Sequence, residues 1–153
     1  DLAASLGRVQ LRRAEEFARR GADVAARYTE RLSAIADLVE TPVVREDRRT
    51  SWHIYPIRLH LDRLDIDRAE FIEALNERGV TPSVHWMPLH LHPNYERVYG
   101  YRPDDFPVAA REWQRFVSLP LFPGLTDAEV DYVCETVEAT ACAHARRAMA
   151  AAV

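Results

Sequence analysis

The sequence predicts an α/β lobe of the α+β kind: a long first helix, then a small antiparallel sheet covered by helices. Three observations point there. An apolar stripe of helical spacing opens the chain, short aromatic and β-branched runs follow it, and two helix-start signatures separate those runs.

Leu2, Leu6, Val9 and Leu11 begin the helical pattern. Phe17, Val24, Tyr28, Leu32 and Ile35 then recur at spacings of seven, four, four and three, leaving most charged residues on other faces. Gly21 weakens this helix locally without stopping it. Thr41-Pro42 ends the helical region or begins an extended one. Ser51–Leu59 (SWHIYPIRL) reads as a strand, with His53, Tyr55, Ile57 and Leu59 on one side. Pro56 lacks a donor, so its side of the backbone is expected at an edge or bulge. Asp67 with Glu70 forms a capping box, and Phe71, Ile72 and Leu75 give the helix its buried face. Gly79 is placed to stop that helix in the left-handed conformation.

Val80–His85 reads as a second strand, and 85–105 as a loop broken by Pro88, Pro93 and Pro103. Pro107–Arg115 is expected as a short helix with proline in its first turn, and Phe116–Leu119 as a third strand. Thr126 with Glu129 forms the second capping box, opening a final helix through Val130, Val133 and Val137. Residues 1–139 are expected as one small domain with its linking helix. Residues 140–153 form an Ala/Arg-rich tail, helical or disordered. The first helix has more apolar stripe than so small a sheet needs, which suggests a missing partner surface.

A net charge of −4 argues against a nucleic-acid or acidic-membrane binder. No apolar run approaches the ~18 residues of a membrane span. The chain opens without Met inside a helix, which suggests a piece of a longer polypeptide. Cys134 and Cys142 lie roughly 12 Å apart along a continuous helix, too far for a disulfide. A reduced, cytoplasmic setting is the simpler reading. All 20 basic residues are arginine. A guanidinium does not form the imine that a lysine amine forms. No nucleophile elbow, glycine-rich phosphate loop or cysteine with a histidine at convincing spacing appears either, so no catalytic residue is expected here.

The densest site-like stretch is Val84–Tyr95 (VHWMPLHLHPNY), which holds three of the six histidines beside Trp86 and Tyr95. Prolines stiffen it, aromatic faces suit sugar rings, and imidazole edges suit hydroxyl or phosphate oxygens. A packed loop whose histidines cap backbone groups is an equal alternative. A metal is not expected: His90 and His92 could point the same way, but no Cys or acid lies at ligand-like spacing.

The segments DLAASLGRVQLRR, SWHIYPIRL, GVTPSVHWMPLHLHPNY, YGYRPDDFPVA and SLPLFPGLTDAEVDYV stand in one order over residues 1–139. In that order they resemble the C-terminal part of the DegT/DnrJ/EryC1/StrS family. These are fold-type I, pyridoxal 5'-phosphate (PLP) dependent enzymes, mostly aminotransferases of nucleotide-linked keto-sugars. The resemblance implies a homodimeric full-length enzyme that moves an amino group from a donor such as glutamate to the sugar. PLP-dependent sugar dehydration within the family, or a noncatalytic α/β interaction module, is the alternative. The resemblance also implies that PLP is held mainly by an upstream domain, with its lysine there. Carried over residue by residue, His85, Trp86, His90 and Tyr95 become the substrate wall, with His85 and His90 holding the sugar or its pyrophosphate. His92 stands where glutamine is at least as expected.

Overall fold

The computed structural model describes residues 1–146. Helix α1 (Leu2–Leu32) runs straight through Gly21. After it come β1 (Val39–Glu40), β2 (Tyr55–Leu59), α2 (Arg68–Glu77), α3 (Pro93–Tyr99), α4 (Pro107–Arg115), β3 (Phe116–Leu119) and α5 (Asp127–Ala143). Single 3-10 turns cover Ser33–Ile35, Leu89–Leu91 and Pro103–Asp105. The three strands form one antiparallel sheet in the order β1-β2-β3.

The predicted helix starts form as their chemistry requires. Asp67 accepts from the amides of Ala69 and Glu70 while Glu70 accepts from the Asp67 amide, and Thr126 and Glu129 repeat the exchange at α5. At the end of α2, Gly79 takes a φ of +76°. Its amide and that of Val80 then satisfy the carbonyls of Asn76 and Leu75.

Alternation on β2 sorts the sheet's two faces. Tyr55, Ile57 and Leu59 are fully buried, joining Val117 and Leu119 of β3 beneath α1 and α5. The Tyr55 ring lies 5.0 Å from that of Tyr28, its hydroxyl 2.7 Å from Thr29 Oγ1, and the Tyr28 hydroxyl donates to the Pro120 carbonyl at 2.8 Å. Pro56 and Arg58 take the opposite, outer face, paired with Ser118 and Phe116.

The Pro56–Ser118 pair exchanges no hydrogen bond, because both backbone groups of Ser118 are bonded to Ser83 on the far side, at 2.8 and 2.9 Å. The Pro56 nitrogen therefore faces the β1 side, where the ladder has already stopped at Glu40↔Arg58. Continuing that register would set Pro42 opposite Pro56, two residues without donors. The expected edge position of Pro56 is met on a central strand.

Several expectations are corrected. Ser51–Ile54 lies outside β2, with Trp52 at a φ of +47°, so the strand is shorter than its aromatic run. Val80–His85 is not a strand: it contributes one bridge, Ser83↔Ser118, and Pro82 beside it has no amide to extend a ladder. Pro93 begins a helix where a break was expected, since its missing N–H is unneeded at the first helical position. Strand β1 was not anticipated. At the other end, α5 continues through residue 140, and Thr140 and Ala141 are buried. Ala145 then bridges Leu64, and the Arg146 amide donates to the Arg63 carbonyl at 2.8 Å. The rest of the predicted tail, 147–153, lies outside the described residues.

Charge joins α1 to α5. Arg20 pairs with Asp127 at 2.8 Å, Arg27 grips Asp131 with two bonds of 2.8 and 2.5 Å, and Arg31 reaches Asp131 and Glu138 at 3.4 Å. Arginines that the sequence pattern places off the apolar stripe of α1 thus reach across to a second helix. The N-terminal half of α1 is uncovered: Leu2, Leu6 and Val9, which share a face, are 85%, 67% and 53% exposed.

Burial also sets an alkaline limit. It pushes the Cys134 thiol from 9.0 up to about 11 and the Tyr55 phenol from 10.0 up to about 12, and it raises Tyr28 as well. The folded state thus favours the neutral forms. Their stabilisation is complete below about pH 9 and is lost as pH rises through about 11 to 12. In an alkaline titration, tyrosinate absorbance from Tyr28 and Tyr55 should appear only together with loss of far-UV circular dichroism. Tyrosinate formed by all tyrosines with the helix signal intact would contradict this.

Candidate functional site: a histidine and aromatic wall on the outer face of the sheet

Both ends of the 84–106 segment are tethered to the outer face. At its start, Ser83 bridges Ser118, and His85 Nδ1 lies 2.9 Å from Ser118 Oγ. Ser118 shares the outer face with Pro56, so His85 stands on the side of the sheet opposite the Tyr55–Ile57–Leu59 core. At its end, α4 has no buried residue and is held to the sheet by charge. Arg58 pairs with Glu40 at 2.9 Å and with Glu112 at 3.1 Å, Arg115 reaches Glu112 at 3.6 Å, and Arg115 also bonds Glu40. The Arg68 guanidinium covers the Trp113 ring at 4.6 Å and donates to the Trp113 carbonyl, tying α4 to α2. Burial lowers the Arg68 pKa.

Between these tethers the four predicted wall residues take different positions. His85 is half-buried and meets Trp86 edge-on at 4.9 Å across a cis peptide. Trp86 is 79% exposed. His90 is only 7% exposed, lies 4.8 Å from the Phe106 ring, and leaves Nε2 without a partner among the described residues. Tyr95 is half-buried on α3. It opens an aromatic series that sequence reasoning did not single out: Tyr95–Tyr99 at 5.7 Å, Tyr99–Tyr101 at 5.5 Å and Tyr101–Phe106 at 5.4 Å. The density of aromatics through 95–106 was the available signal. His92, the departure from the resemblance, spans the loop from Nε2 to the Met87 carbonyl at 3.2 Å.

This wall is open surface. Cavities of about 660 and 390 Å3 flank α1 and are lined by residues such as Arg27, Asp131, Phe17 and Trp52, away from the 84–106 segment. Among the described residues, no group of three or more His, Cys, Asp or Glu is placed to hold a metal. Both cysteines sit on α5 as free thiols, Cys134 buried and Cys142 exposed. No helix among the described residues is long and apolar enough to cross a membrane.

The sheet thus carries a helical core on one face and a tethered histidine and aromatic segment on the other. Known proteins share it. The chain superimposes on the aminotransferase TlmJ from Streptoalloteichus hindustanus with a TM-score of 0.82 and 33% identity, covering 94% of this chain. On the PLP form of Spr1654 from Streptococcus pneumoniae, assigned as a sugar aminotransferase, the TM-score is 0.83 at 29% identity, covering 92%. It is 39% identical over 138 residues, 90% of its length, to the spore coat polysaccharide biosynthesis protein SpsC of Bacillus subtilis. The DegT/DnrJ/EryC1/StrS aminotransferase family profile matches residues 1–138, and the chain belongs to that family. It spans only 35–36% of the length of these three relatives.

PLP bears an aldehyde, which a lysine amine can anchor as an imine. With every basic residue an arginine, this chain does not fit that anchor, and no chemical step passes through the cofactor on these residues.

Proposed function

We propose that these residues are the substrate-facing small domain of a PLP-dependent aminotransferase. The full-length protein would transfer an amino group from glutamate or a similar amino acid to a nucleotide-linked keto-sugar, as a cytoplasmic homodimer. Residues 1–139 form the domain with its linking helix, and the lysine and most PLP contacts belong to polypeptide outside residues 1–153. The observation that carries this reading is the outward placement of His85 and Trp86 on the sheet face away from the core, where Trp86 is 79% exposed. His85, Trp86, His90 and Tyr95 form the substrate wall, and His90 is the most covered of the four, beside the Phe106 ring. The chain's own work is then positioning and water exclusion. Borohydride reduction of the full-length holoprotein should leave the phosphopyridoxyl label on a lysine peptide outside residues 1–153. Label recovered on any peptide of this chain would overturn the reading.

A further inference from the structure

Ser118 is 2% exposed, and among the described residues its hydroxyl has a single partner, His85 Nδ1 at 2.9 Å. A hydroxyl has one hydrogen to give and two lone pairs to receive. Were Nδ1 to carry the hydrogen, Ser118 Oγ would accept it and its own buried hydrogen would be stranded. A stranded buried donor is costlier than an idle lone pair. The satisfied arrangement has Ser118 donating to a bare Nδ1, and a neutral imidazole then bears its hydrogen on Nε2.

We propose that Ser118 is a positioning residue: it locks His85 as the Nε2–H tautomer and presents a fixed hydrogen-bond donor on the outer face of the sheet. The same residue pins the backbone entering the wall, since its amide and carbonyl both bond Ser83. The β2–β3 register turns those two groups away from β2, because Pro56↔Ser118 is a pair that exchanges no ladder bond. A donor held there suits an oxygen acceptor such as a sugar hydroxyl, carbonyl or phosphate oxygen. That ligand class rests on the function proposed above, whereas the tautomer does not.

Long-range proton–nitrogen NMR of the 15N-labelled chain tests the tautomer directly. The expected result is a His85 spectrum with unprotonated Nδ1 and protonated Nε2, retained in Ser118→Thr and averaged between tautomers in Ser118→Ala. A protonated Nδ1 in the native chain would overturn the proposal, and so would an unchanged His85 spectrum in a folded Ser118→Ala. The native and threonine spectra decide the matter even if the alanine variant does not fold. In the full-length enzyme, Ser118→Ala should raise KM for the keto-sugar about tenfold with kcat nearly unchanged, as expected when the partner orienting a binding group is lost. A lost tautomer signature with KM unmoved would instead sink the substrate-facing role of His85 and leave the Ser118 bond standing.

Discussion

Tyr55→Ala is expected to cost the folded chain about 3–5 kcal/mol, the range for deleting a buried aromatic side chain. Tyr55 is fully buried at the start of the middle strand, between the Tyr28 ring at 5.0 Å and the Trp52 ring at 5.6 Å. Its removal opens a cavity where α1 meets the sheet and strips Thr29 Oγ1 of its 2.7 Å partner. Typical domains have only about 5–15 kcal/mol in total, so the variant should melt far below the parent. Tyr55→Phe keeps the ring and should lose about 1 kcal/mol, the net worth of one hydrogen bond. Urea unfolding followed by circular dichroism measures both. Equal losses for the two variants would show that the hydroxyl, not the packed ring, carries the contact.

The second large effect is on activity. In the full-length protein, His85→Ala should lower kcat/KM for the keto-sugar about 10- to 100-fold, as for losing an oriented donor against a polar substrate. On the function proposed above, the half-reaction with the amino-acid donor should change much less, because that reading assigns His85 to the sugar and not to the small amino acid. Measuring the two half-reactions separately gives the answer. Equal losses in both would remove His85 from sugar recognition.

What could be read from sequence divides by the range of the interactions responsible. Helices α2, α4 and α5 were legible because their starts are written locally, in Asp67 with Glu70, in Pro107, and in Thr126 with Glu129. The buried triad of β2 was legible from alternation. Strand β1 was not, since two residues carry no period and Val39–Glu40 exists only by pairing with Leu59 and Arg58. The over-long strand at 80–85 had the opposite cause: a β-like composition met a chain partner only at Ser83. The wall itself was visible as a concentration of histidine and aromatic residues. Its internal differences were not: the His85 tether comes from Ser118, 33 residues away, and the burial of His90 depends on Phe106.

The two prolines at the end of the β1–β2 ladder bear on how the molecule behaves at high concentration. Beyond Arg58, the flank of β2 turned toward β1 offers a strand a carbonyl at Pro56 but no amide. A stray strand from another molecule therefore finds half of the bonding pattern it needs, which discourages edge-to-edge aggregation. Replacing Pro56 with valine would restore the amide and a β-favouring side chain at once. The native circular dichroism should be unchanged in that variant, while turbidity during refolding at high concentration rises.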